Sequence, residues 1–165
     1  MIEKLYEGRP YHNWKHIMQI REVLMWFRDI DKELDLAIMY HDAVYIPGDP
    51  DNELASAVMA CDHHPKHADF LMKAIVATKK HEATGDQKID MFLDADMSIL
   101  GMPWERYDAY RKGIREEYAA YSDEEYCLGR IAFLKSFDGF ITPQFQNGFG
   151  EQARQNIARE LKELE

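Results

Sequence analysis

The stretch YHNWKHIMQIREVLMWFRDIDKELDLAIMYHD, residues 11–42, decides how this chain folds. Apolar side chains recur in it at steps of three and four residues, in two runs, and this period is typical of α-helices. Asn13 and Asp31 each precede one run, and both residue types are favoured N-caps because their side chains accept bonds from free backbone N–H groups. The stretch therefore predicts a helix from Asn13 to about Arg28, a short turn, and a second helix that begins after Asp31.

Four side chains that can bind a metal ion lie in this stretch, namely His12, His16, His41 and Asp42. Residues four apart share one face of a helix, so His12 and His16 are expected to lie side by side. His41 and Asp42 form an adjacent pair near the end of the second helix. Imidazole and carboxylate ligands suit Mn, Fe, Co, Ni or Zn, whereas calcium prefers shells made of oxygen alone. We therefore expect a divalent transition metal to be held by residues of these helices.

A later segment, from Lys88 to Leu100, places a carboxylate among apolar residues. Asp96 falls on the apolar stripe of this predicted helix, whereas Asp94 falls on the other side. A carboxylate buried among apolar side chains is costly unless it is paired or bound to a metal. Asp96 is therefore the expected buried carboxylate ahead of Asp94, available to a metal, and a pairing of Asp96 with Arg106 or Arg115 is the alternative.

The remaining chain shows helix periodicity and no convincing strand alternation, repeat or linker. With 165 residues, of which 46% are hydrophobic, it suits one compact domain with a sizeable core. We therefore predict an all-α, single-domain helical bundle over residues 1–165. Its metal-site core is expected to cover roughly residues 6–118, and the helices within residues 123–165 are expected to pack outside the site. A helix that follows the loop YIPGDPD is expected to turn Leu54, Ala55, Val58 and Met59 inward.

The formal net charge of -10 argues against nucleic-acid polymers as partners, since they require a dense basic face. A small phosphorylated substrate is compatible with this charge because a bound metal ion attracts it locally. The two cysteines form no disulfide framework, which is typical of a reducing cytoplasm. No apolar run approaches the roughly 20 residues that a membrane-spanning helix requires. We expect a cytoplasmic protein without a membrane partner, and assembly into a homo-oligomer stays open.

The motifs YHNWKHI, AIMYHDAVYIPGDPDNELASA, IVATKKH and FLDADMSILG, taken together, resemble those of the HD superfamily of metal-dependent phosphohydrolases. The likeness is to a group of small bacterial and phage HD proteins and, more distantly, to cyclic-nucleotide phosphodiesterases. It covers roughly Tyr6 to Tyr118. The resemblance implies a helical bundle of the HD type.

The resemblance also implies roles for individual side chains. His16, His41, Asp42 and Asp96 would be the metal ligands and would hold one or two divalent ions, with Mg²⁺ as a further candidate. The site would hydrolyse a small phosphoester, such as a nucleotide, with a water molecule that the metal activates. His12 would correspond to the phosphodiesterase histidine that protonates the leaving oxygen as a general acid.

Five further polar residues are candidates for the site. Glu53 would orient the attacking water, or would simply favour the start of its helix through the helix dipole. Lys15, Lys79, His81 and Arg115 would contact phosphate oxygens, or would remain solvated side chains.

Two other functions stay open for the same metal ligands. A di-iron oxygenase of the HD type would keep the fold but would require about six protein ligands for its two irons. A non-enzymatic helical domain would hold a structural metal in a closed shell of four ligands.

Overall fold

The structure is a computed structural model that describes residues 2–164, and these residues form eight α-helices and three short 3-10 helices. The α-helices are α1 (Trp14–Met25), α2 (Lys32–Tyr40), α3 (Asn52–His63), α4 (Ala68–Ala77), α5 (Gln87–Met97), α6 (Trp104–Glu117), α7 (Asp123–Ser136) and α8 (Pro143–Leu164). The 3-10 helices are Ile2–Tyr6, Pro65–His67 and Ser98–Gly101. No β-strand occurs in the described residues, so the prediction of an all-α fold is confirmed. Within the same residues, no helix combines the length and the apolar character needed to cross a membrane.

The first two helices begin at the predicted N-caps. The side-chain oxygens of Asn13 and Asp31 accept hydrogen bonds from backbone N–H groups two and three residues later, at 2.9 and 3.0 Å. Helix α1 ends at Met25, earlier than predicted. His41 is the C-cap of α2, and Asp42 follows directly, so the His-Asp pair stands where the chain leaves the helix.

Helix α5 runs through the core of the bundle. Every residue from Ile89 to Ala95 is buried, and the helix packs against α1, α2 and α8. A helix that is buried on all sides has no single apolar face, so a stripe counted along its sequence does not define what is buried. This explains why Asp94, predicted on the outer side, is itself buried at 2% exposure.

Helix α3 buries small residues in place of the large ones predicted. Ser56, Ala57 and Ala60 are fully buried, whereas Leu54 and Val58 are 50% and 46% exposed. Small side chains in the contact allow two helices to approach closely, and α3 makes its main contact with α4. The predicted inward face of α3 was therefore wrong for Leu54 and Val58, whereas Met59 is partly buried against the core.

Helix α8 packs against the Ser98–Gly101 3-10 helix and against α5. A Cβ atom added at Gly101 would lie 2.5 Å from the Cβ atom of Phe149, so this close approach requires glycine. The contact fixes the position of the segment that directly follows Asp96.

Candidate metal centre

The candidate metal centre gathers side chains from α1, α2 and α5. His16 lies on α1, His41 and Asp42 lie at the end of α2, and Asp96 lies near the end of α5. His16 and His41 are 3% and 2% exposed, and their Nε2 atoms lie 3.3 Å apart. The structure thus brings the four predicted ligands to one point in the interior.

Each carboxylate contributes one oxygen to this point. Asp42 Oδ2 lies 2.9 Å from His41 Nε2 and 3.6 Å from His16 Nε2. Asp96 Oδ1 lies 3.0 Å from His16 Nε2 and 3.5 Å from His41 Nε2. Ligands that each lie about 2.0–2.2 Å from an ion are about 3.0–3.4 Å from one another in a tetrahedral or octahedral shell. The donor atoms of His16, His41 and Asp42 therefore have the spacing of a coordination shell, and Asp96 Oδ1 approaches the two histidines at similar distances.

The chemistry of the donor atoms also calls for a positive charge at their centre. His41 Nδ1 lies 2.9 Å from the carbonyl oxygen of Ile38, and a carbonyl only accepts, so Nδ1 carries the proton. In the neutral imidazole this leaves the Nε2 lone pair facing the centre, as in metal-ligating histidines. The oxygens of Asp42 and Asp96 also present lone pairs, which repel one another unless a positive charge lies between them. These residues fit a divalent cation.

The charged groups of the centre stabilise one another. Burial opposes the charge of His41, but the carboxylates of Asp42 and Asp96 outweigh it and raise the pKa of His41 well above its ordinary value. A proton at His41 Nε2 therefore competes with a metal cation, and ligation requires His41 to become neutral. Burial also favours the neutral form of both acids, yet the adjacent imidazoles hold the pKa of Asp42 and of Asp96 below the ordinary value. Both carboxylates are therefore ionised at neutral pH, as metal ligation requires.

Asp94 has a structural role. Asp94 Oδ1 accepts a hydrogen bond from the N–H of Ile141 at 2.7 Å, and Oδ2 accepts bonds from the N–H and the hydroxyl of Thr142 at 2.7 and 2.6 Å. These bonds hold the turn that leads into α8. Of the two candidate carboxylates on α5, only Asp96 reaches the histidines.

His81 holds the second oxygen of Asp96. His81 Nε2 lies 2.8 Å from Asp96 Oδ2, while Oδ1 of the same carboxylate faces the two histidines. The backbone of His81 has a φ of +52°, a left-handed conformation that costs an ordinary residue about 1–2 kcal/mol. Glycine would adopt it at this position, just beyond α4, without that cost. The geometry connects His81 to the orientation of Asp96, whereas the sequence suggested a phosphate contact.

His12 lies beside the centre and is held by Glu117. His12 precedes the N-cap of α1, so the helical spacing argument does not apply to it, yet its ring lies 5.7 Å from that of His16. Glu117 Oε2 lies 2.6 Å from His12 Nδ1. Burial lowers the pKa of His12, but the carboxylates of Asp42 and Glu117 outweigh it and raise this pKa above its ordinary value. The sequence contained no signal for Glu117, because α6 reaches His12 only in the folded chain.

Two buried polar atoms at the centre have no hydrogen-bond partner within residues 2–164, namely His16 Nδ1 and the hydroxyl of Tyr11. The rings of these two residues lie 5.0 Å apart. An unsatisfied buried polar group costs about 1–3 kcal/mol, so both atoms are places where water or a ligand gains a hydrogen bond. Tyr11 is a further residue of the site that the sequence did not indicate.

The centre opens into a cavity of about 610 Å³. Four of the predicted catalytic and substrate-binding residues line it, namely His12, Glu53, Lys79 and His81. Glu53 stands in the first turn of α3. Lys79 Nζ also donates a hydrogen bond to the carbonyl oxygen of Pro50, which ties the segment after α4 to the loop before α3.

Two predicted phosphate contacts are not brought to the cavity. Lys15 is exposed on α1 and does not line the cavity, because a helix turns by about 100° per residue and Lys15 points away from its buried neighbour. Arg115 donates to the carbonyl oxygen of Tyr118 at 2.9 Å and to Asp123 Oδ1 at 2.6 Å. Arg115 therefore fixes the turn between α6 and α7, and its carboxylate partner is not Asp96.

Helix α7 forms one wall of the cavity, although residues 123–165 were expected to pack outside the site. Five of its residues line the cavity, namely Glu125, Tyr126, Gly129, Arg130 and Phe133. Arg130 is drawn inward because it pairs with the buried carboxylate of Glu160, Nε to Oε1 at 2.9 Å and Nη2 to Oε2 at 3.0 Å. Such a bidentate pair satisfies a charge that would otherwise be costly to bury.

No protein-family model, curated protein or solved structure matches this chain. A function is therefore inferred from the side chains themselves. The features that support an inference are the four-donor centre, the pair of His12 and Glu117, and the cavity that both border.

Proposed function

We propose that this chain is a metal-dependent phosphohydrolase of the HD type that cleaves a small phosphoester, such as a nucleotide. The observation that carries the proposal is the cluster of His16, His41 and Asp42 at the spacing of a coordination shell, with Asp96 beside both histidines. Their nitrogen and oxygen donors suit Mn, Fe, Co, Ni or Zn, and Mg²⁺ is a further candidate. Four donors around one point support a single ion.

The charges of the site favour an anionic substrate. A divalent cation would cancel the two negative charges of Asp42 and Asp96. When bound, such a cation polarises a phosphoryl group and lowers the pKa of a water molecule, which makes that water a nucleophile at neutral pH. His12 and Lys79 line the same cavity and add positive charge that attracts phosphate oxygens. A phosphoester is therefore accepted locally although the chain has a net charge of -10.

His12 is the general acid in this proposal. Glu117 Oε2 engages Nδ1 of His12 at 2.6 Å, and the ring of Tyr45 lies 4.2 Å from the His12 ring. The imidazole is thus restrained on two sides. With Nδ1 engaged, Nε2 is the atom that donates a proton to the leaving oxygen. Glu53, on the same cavity wall, would orient the attacking water.

A hydrolysis screen tests this proposal. Purified protein is incubated with nucleoside phosphates and p-nitrophenyl phosphoesters, each with Mn²⁺, Co²⁺, Ni²⁺, Mg²⁺ or Zn²⁺. We expect phosphate release that stops with a chelator, returns with the cation, and is lost in His41→Ala. Lys15→Ala, on the exposed side of α1, is the matched control and should retain the activity.

The two other functions would give different results in the same preparation. A di-iron oxygenase would contain iron, show its optical spectrum and consume dioxygen. A structural site would hold a cation and support no turnover in any combination of ester and metal. Either result would overturn the proposed hydrolysis.

A further inference from the structure

The cavity extends well beyond the metal centre into an aromatic chamber. We define this chamber by its lining residues Tyr110, Tyr118, Tyr126, Gly129 and Phe133. The whole cavity, at about 610 Å³, lies within the range of about 300–1,000 Å³ that is usual for pockets of drug-sized ligands. A phosphate group at the metal centre would leave the chamber unfilled.

The aromatic walls of the chamber are held in place by arginines that are themselves engaged. Arg130 donates to the hydroxyl of Tyr110 at 2.8 Å, besides its two bonds to the Glu160 carboxylate. The guanidinium of Arg115 lies over the ring of Tyr126, 4.9 Å from its centroid. Because these charges are already paired, the chamber presents ring surfaces to a ligand, and among the described residues that line it no cation is left without a partner.

Gly129 has no structural reason to be glycine. It lies inside α7, where glycine costs about 0.5–1 kcal/mol relative to alanine. Its φ is not among the positive values, and a Cβ atom added there would meet no atom within 4 Å. Neither the backbone nor the packing therefore requires glycine. Gly129 is solvent-exposed and also lines the cavity, so its missing side chain leaves this part of the cavity wider.

We infer that the aromatic chamber binds a flat, uncharged ring carried by the alcohol part of the phosphoester. This inference rests on the proposed function, since it concerns the same substrate. The tyrosine and phenylalanine rings would pack against the faces of the bound ring, and Gly129 would leave space for its edge. Stacking of a base on an aromatic side chain is worth about 1–3 kcal/mol, which corresponds to roughly a 5- to 150-fold gain in kcat/KM.

The test compares two substrates that share their reacting end. Nucleoside 5′-monophosphates carry a purine or pyrimidine ring, and ribose 5-phosphate lacks it. We expect kcat/KM to be roughly 5- to 150-fold higher for the best nucleotide. In Gly129→Leu, whose new side chain enters the chamber, this ratio should fall toward one. Leu128→Ala, on the exposed side of the same helix, is the control and should preserve the ratio.

Two results would overturn the inference while leaving hydrolysis intact. One is an equal kcat/KM for ribose 5-phosphate and every nucleotide, and the other is a ratio that survives in Gly129→Leu. If no phosphoester is hydrolysed, the proposed function fails. Direct binding of purine and pyrimidine nucleosides then tests whether the chamber binds a flat ring. Binding by calorimetry that weakens in Gly129→Leu but not in Leu128→Ala would support the chamber, and the absence of binding by every nucleoside would overturn it.

Discussion

One carboxylate, that of Glu117, binds both the ring and the backbone of His12. Glu117 Oε2 lies 2.6 Å from His12 Nδ1, and Oε1 accepts hydrogen bonds from the backbone N–H groups of His12 and Tyr11 at 2.7 and 2.8 Å. The segment that precedes α1 is therefore attached to the end of α6. This attachment turns a histidine outside any helix into a side chain of fixed orientation.

Glu117→Gln should slow turnover and leave the cation in place. The amide cannot stabilise the imidazolium of His12, so the pKa of His12 should fall. Because a general acid must be protonated, the alkaline limb of the kcat profile should move to lower pH, and kcat at neutral pH should drop roughly 10- to 100-fold. Steady-state kinetics across pH measures both effects. Glu116→Gln, the exposed neighbour on α6, is the control, and an unshifted limb in Glu117→Gln would contradict the role of this pair.

His12→Ala and His41→Ala should fail in different ways. His12 contacts the leaving group in this account, so its loss should reduce kcat by about 100-fold or more and spare cation binding. His41 supplies a donor atom to the centre, so its loss should remove the cation and the activity together. Metal content and activity, measured on the same samples, separate the two. Equal loss of metal in both variants would show that His12 is a ligand and not the acid.

Substitutions of Asp94 and Asp96 should have different effects. The first should lower the free energy of unfolding, and the second should lower the affinity for the cation. Asp94→Ala leaves buried N–H groups at Ile141 and Thr142 without an acceptor, so the free energy of unfolding should fall by about 1–3 kcal/mol with the cation still bound. Asp96→Asn should weaken cation binding by more than the roughly 10- to 100-fold that loss of an outer-shell partner causes. Denaturant unfolding and equilibrium dialysis measure these quantities. The reverse pattern would mean that Asp94 is the ligand.

His81→Gly should be more stable than His81→Ala by about 1 kcal/mol, because glycine adopts the left-handed backbone without strain. Both variants lose the contact with Asp96 Oδ2, so both should bind the cation roughly 10- to 100-fold more weakly. Unfolding curves with and without the cation provide both values. Full cation affinity in His81→Gly would show that the imidazole does not orient Asp96.

Gly129→Ala should raise the free energy of unfolding by about 0.5–1 kcal/mol, since alanine is the better helix former and its Cβ atom meets no neighbour. Thermal and urea unfolding measure this change. A loss of stability would show a packing role for Gly129 that its surroundings do not indicate.

The helix starts and the side chains that gather at the centre could be predicted because both depend on local chemistry. Asn13 and Asp31 cap helices through bonds to N–H groups only a few residues away. Asp96 was favoured over Asp94 because a buried charge is costly, and this reason is sound. The count of apolar positions nevertheless placed Asp94 on the wrong side, because α5 is buried on every side. Asp94 meets that same cost with three hydrogen bonds near α8 instead of with a metal.

Contacts between distant segments could not be predicted, because no local pattern records them. Glu117 reaches His12 from α6, and Arg9 donates to the carbonyl oxygens of Asp42 and Ala43 at 2.5 and 3.1 Å, which fixes the end of α2. The same limit applies to α7, whose inward face depends on the pairing of Arg130 with α8. Sequence therefore predicted which side chains could bind a metal, and the fold determines which residues hold those side chains in position.

Cation binding by the wild-type chain and by His41→Ala tests the central claim most directly. Equilibrium dialysis against Mn²⁺, Co²⁺ or Zn²⁺, followed by elemental analysis, counts the ions bound per chain. The four-donor centre predicts one tightly bound ion in the wild type and none in His41→Ala, with the helical circular dichroism of the two proteins unchanged. A wild-type protein that binds no more metal than His41→Ala would contradict the metal centre and the hydrolysis built on it.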